Sequence, residues 1–130
     1  MAFNSASLAL GTVQFGLDYG ISNSQGQVSS ASITAILQQA QNSDIRWLDT
    51  AYLYGSAEAN LGEQPLAQQF SIITKLPELT EGLHARSALS CSLTRLQRPQ
   101  VDTVLLHRPE QLLGERGRHI YGDLNSLRLE

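Results

Sequence analysis

Asp49, Tyr54, Lys75 and His107 are the residues of this sequence whose types and placement suit proton transfer at a carbonyl group. A phenol titrates near ~10 in isolation and is a poor proton donor at neutral pH. An ammonium close to it stabilises the phenolate, and a carboxylate on the far side holds the ammonium in place. An imidazole nearby then positions a substrate oxygen or shares in the proton transfer. Such a quartet delivers a proton to a carbonyl oxygen while hydride reaches the carbon, or runs the reverse oxidation of an alcohol. The hydride has to come from a cofactor, because no side chain supplies one. Lys75 is the only lysine in the chain, every other cationic side chain being arginine; the two differ in reach and in their effect on neighbours. Tyr52 is a second candidate phenol. Taken singly, an Asp or Tyr at a strand-to-loop junction is more often structural than catalytic, so the case rests on whether the fold gathers the four.

The elements that must gather them alternate between strand and helix. Ser7–Leu10 is a short apolar run ending at Gly11-Thr12, and Ile45–Thr50 a second strand that closes on Asp49. Phe70–Thr74 is the third strand, with Lys75 at its end, and Val101–Leu106 the fourth, followed by His107 and the breaker Arg108-Pro109. Between them, Ile33, Ile36, Leu37 and Ala40 recur at helical spacing after the capping candidates Ser29 and Ser30. Ser56 is placed to cap a second helix through Ala57, Leu61 and Leu66, which Pro65 should kink or split. Ala85, Leu89, Leu93 and Leu96 mark a third helix ending near Arg98-Pro99, and His119–Glu130 a last one with Ile120, Leu124 and Leu127 on one face. Apolar strands each followed by a helix predict an α/β fold with a parallel sheet, either a small doubly wound sheet or part of a (β/α)8 barrel. In both, the C-terminal strand ends share one face, so Asp49, Lys75 and His107 can meet there.

Composition narrows the remaining classes. The 130 residues suit one domain, and a formal net charge of -3 has the wrong sign for a nucleic-acid binder. Cys91 is the only cysteine, which excludes an internal disulfide, and its place between Leu89 and Leu93 predicts a packed, inert thiol. No apolar run is long enough for a membrane span, and Met1–Ser5 lacks the basic and apolar segments of a signal peptide. A cytoplasmic protein without nucleic-acid or membrane partners is expected. No metal site is expected either, because His, Asp and Glu show no ligand spacing. Gly11, Gly16 and Gly20 do not match a dinucleotide or P-loop fingerprint and read as turn-formers, with the Gly11 turn a candidate to lie under a ligand. His84 and His119 read as solvent-facing, Asp18-Tyr19 as a turn and Arg108 as either an anion contact or a surface ion pair.

Asp49-Thr50-Ala51-Tyr52-Leu53-Tyr54-Gly55 resembles the D-T-A-x-x-Y-G signature of the aldo-keto reductases. Leu8 to Gly16, L-A-L-G-T-V-Q-F-G, is similar to that family's first strand and turn. Ile72-Ile73-Thr74-Lys75 is similar to the strand that ends in its lysine, and Asp102 to Pro109, D-T-V-L-L-H-R-P, to the strand that ends in its histidine. Ser87 to Leu96 resembles the helix before that strand. The resemblance implies Tyr54 as proton donor, Lys75 and Asp49 as its electrostatic tuners and His107 as the residue that orients the substrate. It implies NADPH as the usual hydride source, with NADH as the alternative, and a small-molecule aldehyde, ketone or sugar carbonyl as substrate. Gly11, Thr12 and Asp49 correspond to positions beside the nicotinamide ribose.

A complete (β/α)8 barrel typically needs about 250 residues. Residues 1–130 therefore predict the N-terminal half of such a barrel, ending where a fifth strand should begin. The resemblance then implies that most of the dinucleotide site, including its pyrophosphate and adenosine contacts, belongs to the other half. A half-barrel also leaves two strand edges and its inner face uncovered, so self-association through those edges is expected. Two readings follow: a reductase unit, or a non-catalytic half-barrel serving as a fragment or an assembly partner.

Overall fold

The computed structural model describes residues 8–128. Ser7, expected to open the first strand, and the readings placed on Met1–Ser5 and on the chain end at Glu130 lie outside the described residues. Strands and helices alternate strictly: β1 (Ala9–Gly11), α1 (Ser30–Asn42), β2 (Trp47–Asp49), α2 (Ala57–Gly62), β3 (Ser71–Leu76), α3 (Ala85–Leu96), β4 (Thr103–Leu106) and α4 (Gly114–Leu127). Single 3-10 turns occupy Val13–Phe15, Pro65–Gln69 and Pro109–Leu112. The four strands form one parallel sheet in the order β1-β2-β3-β4. Sequential order without a reversal is what a barrel requires, whereas a doubly wound sheet reverses at a switch point.

Burial alternates along β3, with Ile72, Thr74 and Leu76 buried and Ser71, Ile73 and Lys75 partly exposed. The buried face packs under the helices. Leu48 and Ile72 meet Ile33, Leu37, Leu61 and Leu96 in one cluster, while Leu76 joins Leu79, Ala85, Ala88 and Ile120 in a second. The opposite face is open, and Leu105 on β4 is 43 % exposed there. Asp49 pairs in register with Ile73 and Lys75 with Leu105, so all four residues stand on that open face. Helices on one face only select the half-barrel over the doubly wound alternative. The inner face is mixed, with Ile73 and Leu105 beside Asp49 and Lys75, rather than the apolar surface the strand composition predicts.

Local chemistry explains the element ends. Ser29 caps α1 by accepting from the Ser32 amide at 3.2 Å, as its residue type predicts. Ser56 stands at the same position of α2 but makes no capping bond; its hydroxyl instead accepts from Asn60 and Gln27. Pro65 splits the expected second helix in two, opening a separate 3-10 turn where its missing N–H is not needed, and Leu66 belongs to that turn. Gln97 ends α3 in the left-handed region at φ 53°. Next to it, Arg98 donates to the carbonyls of Ala67 and Phe70 at 2.7 and 2.8 Å, tying the chain before β4 to the chain before β3. Burial lowers its guanidinium below the usual value and the nearby Asp102 partly offsets that. The last helix starts at Gly114, five residues before the expected His119, because Gly114 and Gly117 hide its beginning from a propensity reading. Gly117 is there because a Cβ would strike the Leu112 carbonyl.

Ser92 lies fully buried on α3, and its hydroxyl has no hydrogen-bond partner. An unpaired buried hydroxyl is a liability of roughly 1–3 kcal/mol. Ser92→Ala is therefore expected to leave the melting temperature unchanged or raise it; a clear fall in a thermal melt would show that the hydroxyl is satisfied.

Candidate active site

Each residue of the quartet is delivered by a different part of the βα frame. Asp49 is the last residue of β2, and its carbonyl is held twice by Thr12, through the amide and the hydroxyl, both at 3.0 Å. Lys75 lies one residue inside the end of β3 rather than beyond it, since the strand continues through Leu76. His107 follows β4, anchored by its amide on the Leu76 carbonyl at 2.9 Å. Tyr54 rides on the loop after β2, which keeps pairing with β3: the Thr50 amide donates to Ile73 at 2.8 Å and the Tyr52 amide to Lys75 at 3.0 Å.

The Lys75 ammonium is the hub. It forms an ion pair with Asp49, donates to the Thr50 carbonyl at 3.0 Å and reaches the Tyr54 phenol oxygen at 3.3 Å. Three acceptors match the three donors of an ammonium. The Tyr54 and His107 rings meet edge to face, with centroids 6.2 Å apart at 85°. The cluster is half-sheltered, with 19 % of the Lys75 side chain and 33 % of the Asp49 side chain exposed. Positive charge therefore sits where a phenolate would develop, while the open face leaves room for a ligand above it. Of the two phenols, Tyr54 reaches the ammonium; the Tyr52 ring lies instead against Arg95 of α3, 4.4 Å from its guanidinium carbon.

Two glycines allow the loop carrying Tyr54 to close on the loop after β1. A Cβ on Gly16 would overlap the Tyr54 carbonyl oxygen and the Ala57 amide, and one on Gly55 would overlap the Gly16 carbonyl. Gly55 is also left-handed at φ 57°. Gly16 closes the Val13–Phe15 turn with its amide on the Val13 carbonyl at 3.2 Å, as its spacing predicts; its φ of -124° is ordinary, so the need for glycine comes from the close approach.

Gly11 faces open space and pairs with Asp49 across the sheet. Thr12 is fully buried, and its amide and hydroxyl both donate to the Asp49 carbonyl, which places Asp49 at the end of β2. His84 and His119 are exposed, and Asp18-Tyr19 lies on the surface. Arg108 is in a surface ion pair with Glu78 at 3.4 Å. Cys91 is free and partly buried. Among the described residues no helix is long and apolar enough to cross a membrane. A sequence reading missed Glu58 and Arg95, which sit behind the loop. The available signal was a carboxylate at helical spacing from Leu61 on the apolar side of α2.

A parallel, sequentially ordered sheet with a polar cluster at the C-terminal ends of its strands is the arrangement of a (β/α)8-type enzyme unit. The chain belongs to the aldo/keto reductase family, whose sequence profile matches residues 7–123. Two solved structures of Pseudomonas aeruginosa proteins described as putative aldo-keto reductases share the fold. One is 25 % identical with a TM-score of 0.75, the other 24 % identical with a TM-score of 0.72. They align over 92 % of this chain and over 50 % and 48 % of their own. An aldo-keto reductase from a deep-sea metagenome library of the Medee basin is 17 % identical at a TM-score of 0.56, over 92 % of this chain and 40 % of that one. No curated protein matches the chain in sequence. The chain thus spans about half the length of the structures it matches, and its four βα units correspond to the N-terminal half of their barrel.

Proposed function

We propose that this unit takes part in NAD(P)H-linked reduction of an aldehyde, ketone or sugar carbonyl, with Tyr54 as proton donor. The observation that carries the reading is the Lys75 ammonium bonded at once to Asp49 and, at 3.3 Å, to the Tyr54 phenol oxygen. Tyr54 gives its proton from Oη to the carbonyl oxygen. Lys75 stabilises the charge left on the phenol, and Asp49 keeps the ammonium in place. His107, edge-on to Tyr54, borders the space where that oxygen would lie and orients it.

The residues present fit the nicotinamide end of a dinucleotide, since Gly11 leaves open space beside Asp49 on the uncovered face. Gly11 and Asp49 would hold that end, with Thr12 beside them bonded to the Asp49 carbonyl; the cofactor, NADPH with NADH as the alternative, supplies the hydride when bound.

A second reading has its own observation: the chain covers only half of the proteins it matches. On that reading this unit is a non-catalytic half-barrel, pairing through the free edges of β1 and β4. Titration with NADPH separates the two. The reductase reading expects a change in NADPH fluorescence and a rise in melting temperature as cofactor approaches millimolar. No response at millimolar NADPH would sink the reductase reading for this chain and leave the half-barrel reading standing.

A further inference from the structure

Glu58 of α2 is 1 % exposed. A carboxylate so far from water must be held by polar partners. Thr74 donates its hydroxyl to Oε1 at 2.7 Å, and Arg95 Nη1 of α3 stands 3.5 Å from Oε2. The same Nη1 donates to the Tyr52 carbonyl at 3.2 Å, and the guanidinium lies over the Tyr52 ring. The Tyr52 amide in turn donates to the Lys75 carbonyl at 3.0 Å. These contacts close a circuit. Thr74 is the neighbour of Lys75 on β3, and Tyr52 lies two residues before Tyr54, so the circuit runs behind both working side chains.

We propose that the Glu58–Arg95 pair is a positioning device that sets the loop carrying Tyr54 against the strand carrying Lys75. Neither side chain touches Asp49, Tyr54, Lys75 or His107 in the contacts described above, so both are positioning residues and not catalytic ones. The loop from Thr50 to Ser56 spans the gap between β2 and α2 without regular structure of its own. Arg95 fixes it at the middle by two different means, a hydrogen bond to the Tyr52 carbonyl and a cation–π contact over the Tyr52 ring. A lysine supplies a point charge without the broad guanidinium that spans the carboxylate, the carbonyl and the ring here. Glu58 orients the guanidinium for both tasks while also gripping β3 through Thr74. A displacement of only about 1 Å between reacting groups can cost on the order of 10²-fold in rate, so a clamp of this kind belongs to the working geometry.

The inference rests on the reading of Lys75 and Tyr54 as a contacting pair, and the test separates the two. Tyrosines labelled with ¹³C at Cζ give one line per residue, and the Tyr54 line is identified by its loss in Tyr54→Phe. Lys75→Met is expected to shift that line, because it removes the donor on the phenol oxygen. Arg95→Met is expected to shift it in the same direction, with the exposed Tyr19 and Tyr121 lines unmoved. Arg95→Lys should give a shift between parent and Arg95→Met, and Glu58→Gln should move the line the same way. A folded Arg95→Met chain with Tyr54 at the parent position would overturn the proposal. If Arg95→Met does not fold, Arg95→Lys is judged by the same criterion. An unmoved Tyr54 line in Lys75→Met would instead overturn the Lys75–Tyr54 contact, and the inference with it.

Discussion

Tyr54→Phe is expected to lower kcat for carbonyl reduction by about 10²–10⁴-fold, the usual range for a positioned acid, while leaving the fold and cofactor affinity in place. Phenylalanine keeps the ring that meets His107 and removes only the oxygen that Lys75 reaches at 3.3 Å. The measurement is steady-state NADPH oxidation with a generic aldehyde, paired with NADPH binding and a thermal melt of the same variant. Lys75→Met is expected to act through the same oxygen, so the double variant should be little worse than the single ones. Residues that work as a unit are not additive. Full activity in Tyr54→Phe would remove Tyr54 as the donor. Additive losses would show that Lys75 serves something other than the phenol.

Gly16→Ala is expected to destabilise the chain by about 1–3 kcal/mol or more, the range for forcing atoms into a packed interior. The backbone at Gly16 suits any residue, so the cost is steric. The atoms in the way are the Tyr54 carbonyl and the Ala57 amide, which are backbone and cannot rotate aside. Neighbouring bonds would be strained with them: the Ser56 amide reaches the Gly16 carbonyl at 3.4 Å, and the Asn60 side chain donates to Phe15 at 2.6 Å. Gly122 is the internal comparison. It lies within α4 with nothing within 4 Å of an added Cβ, so Gly122→Ala should be stabilising by up to about 1 kcal/mol. Thermal and denaturant unfolding of the two variants check the signs. Equal effects would mean that the loop after β1 yields without cost and does not brace the Tyr54 loop.

The two variants probe different kinds of information. Asp49, Lys75 and His107 were legible because periodicity and breakers reveal strand ends, and parallel βα topology brings strand ends to one face; Tyr54 stood out from Tyr52 only through the resemblance of Asp49 to Gly55 to the family signature. The element order was legible for the same reason. Boundaries failed where a local rule met a tertiary one. Pro65 divided a helix, Gly117 was kept small by the Leu112 carbonyl, and β3 ran past Lys75 because β4 continued beside it through the Lys75–Leu105 and Leu76–Leu106 pairs.

What the sequence determined by itself is therefore the alternation of strands and helices and the set of reactive groups at their ends. Both follow from interactions between residues near one another along the chain. Only the tertiary structure decided that Tyr54 rather than Tyr52 meets the ammonium, that Thr12 is buried beneath Asp49, and that Glu58 and Arg95 stand behind the loop. Each depends on contacts between segments 21 to 43 residues apart. Such contacts are created when packing fixes distances that no local pattern encodes.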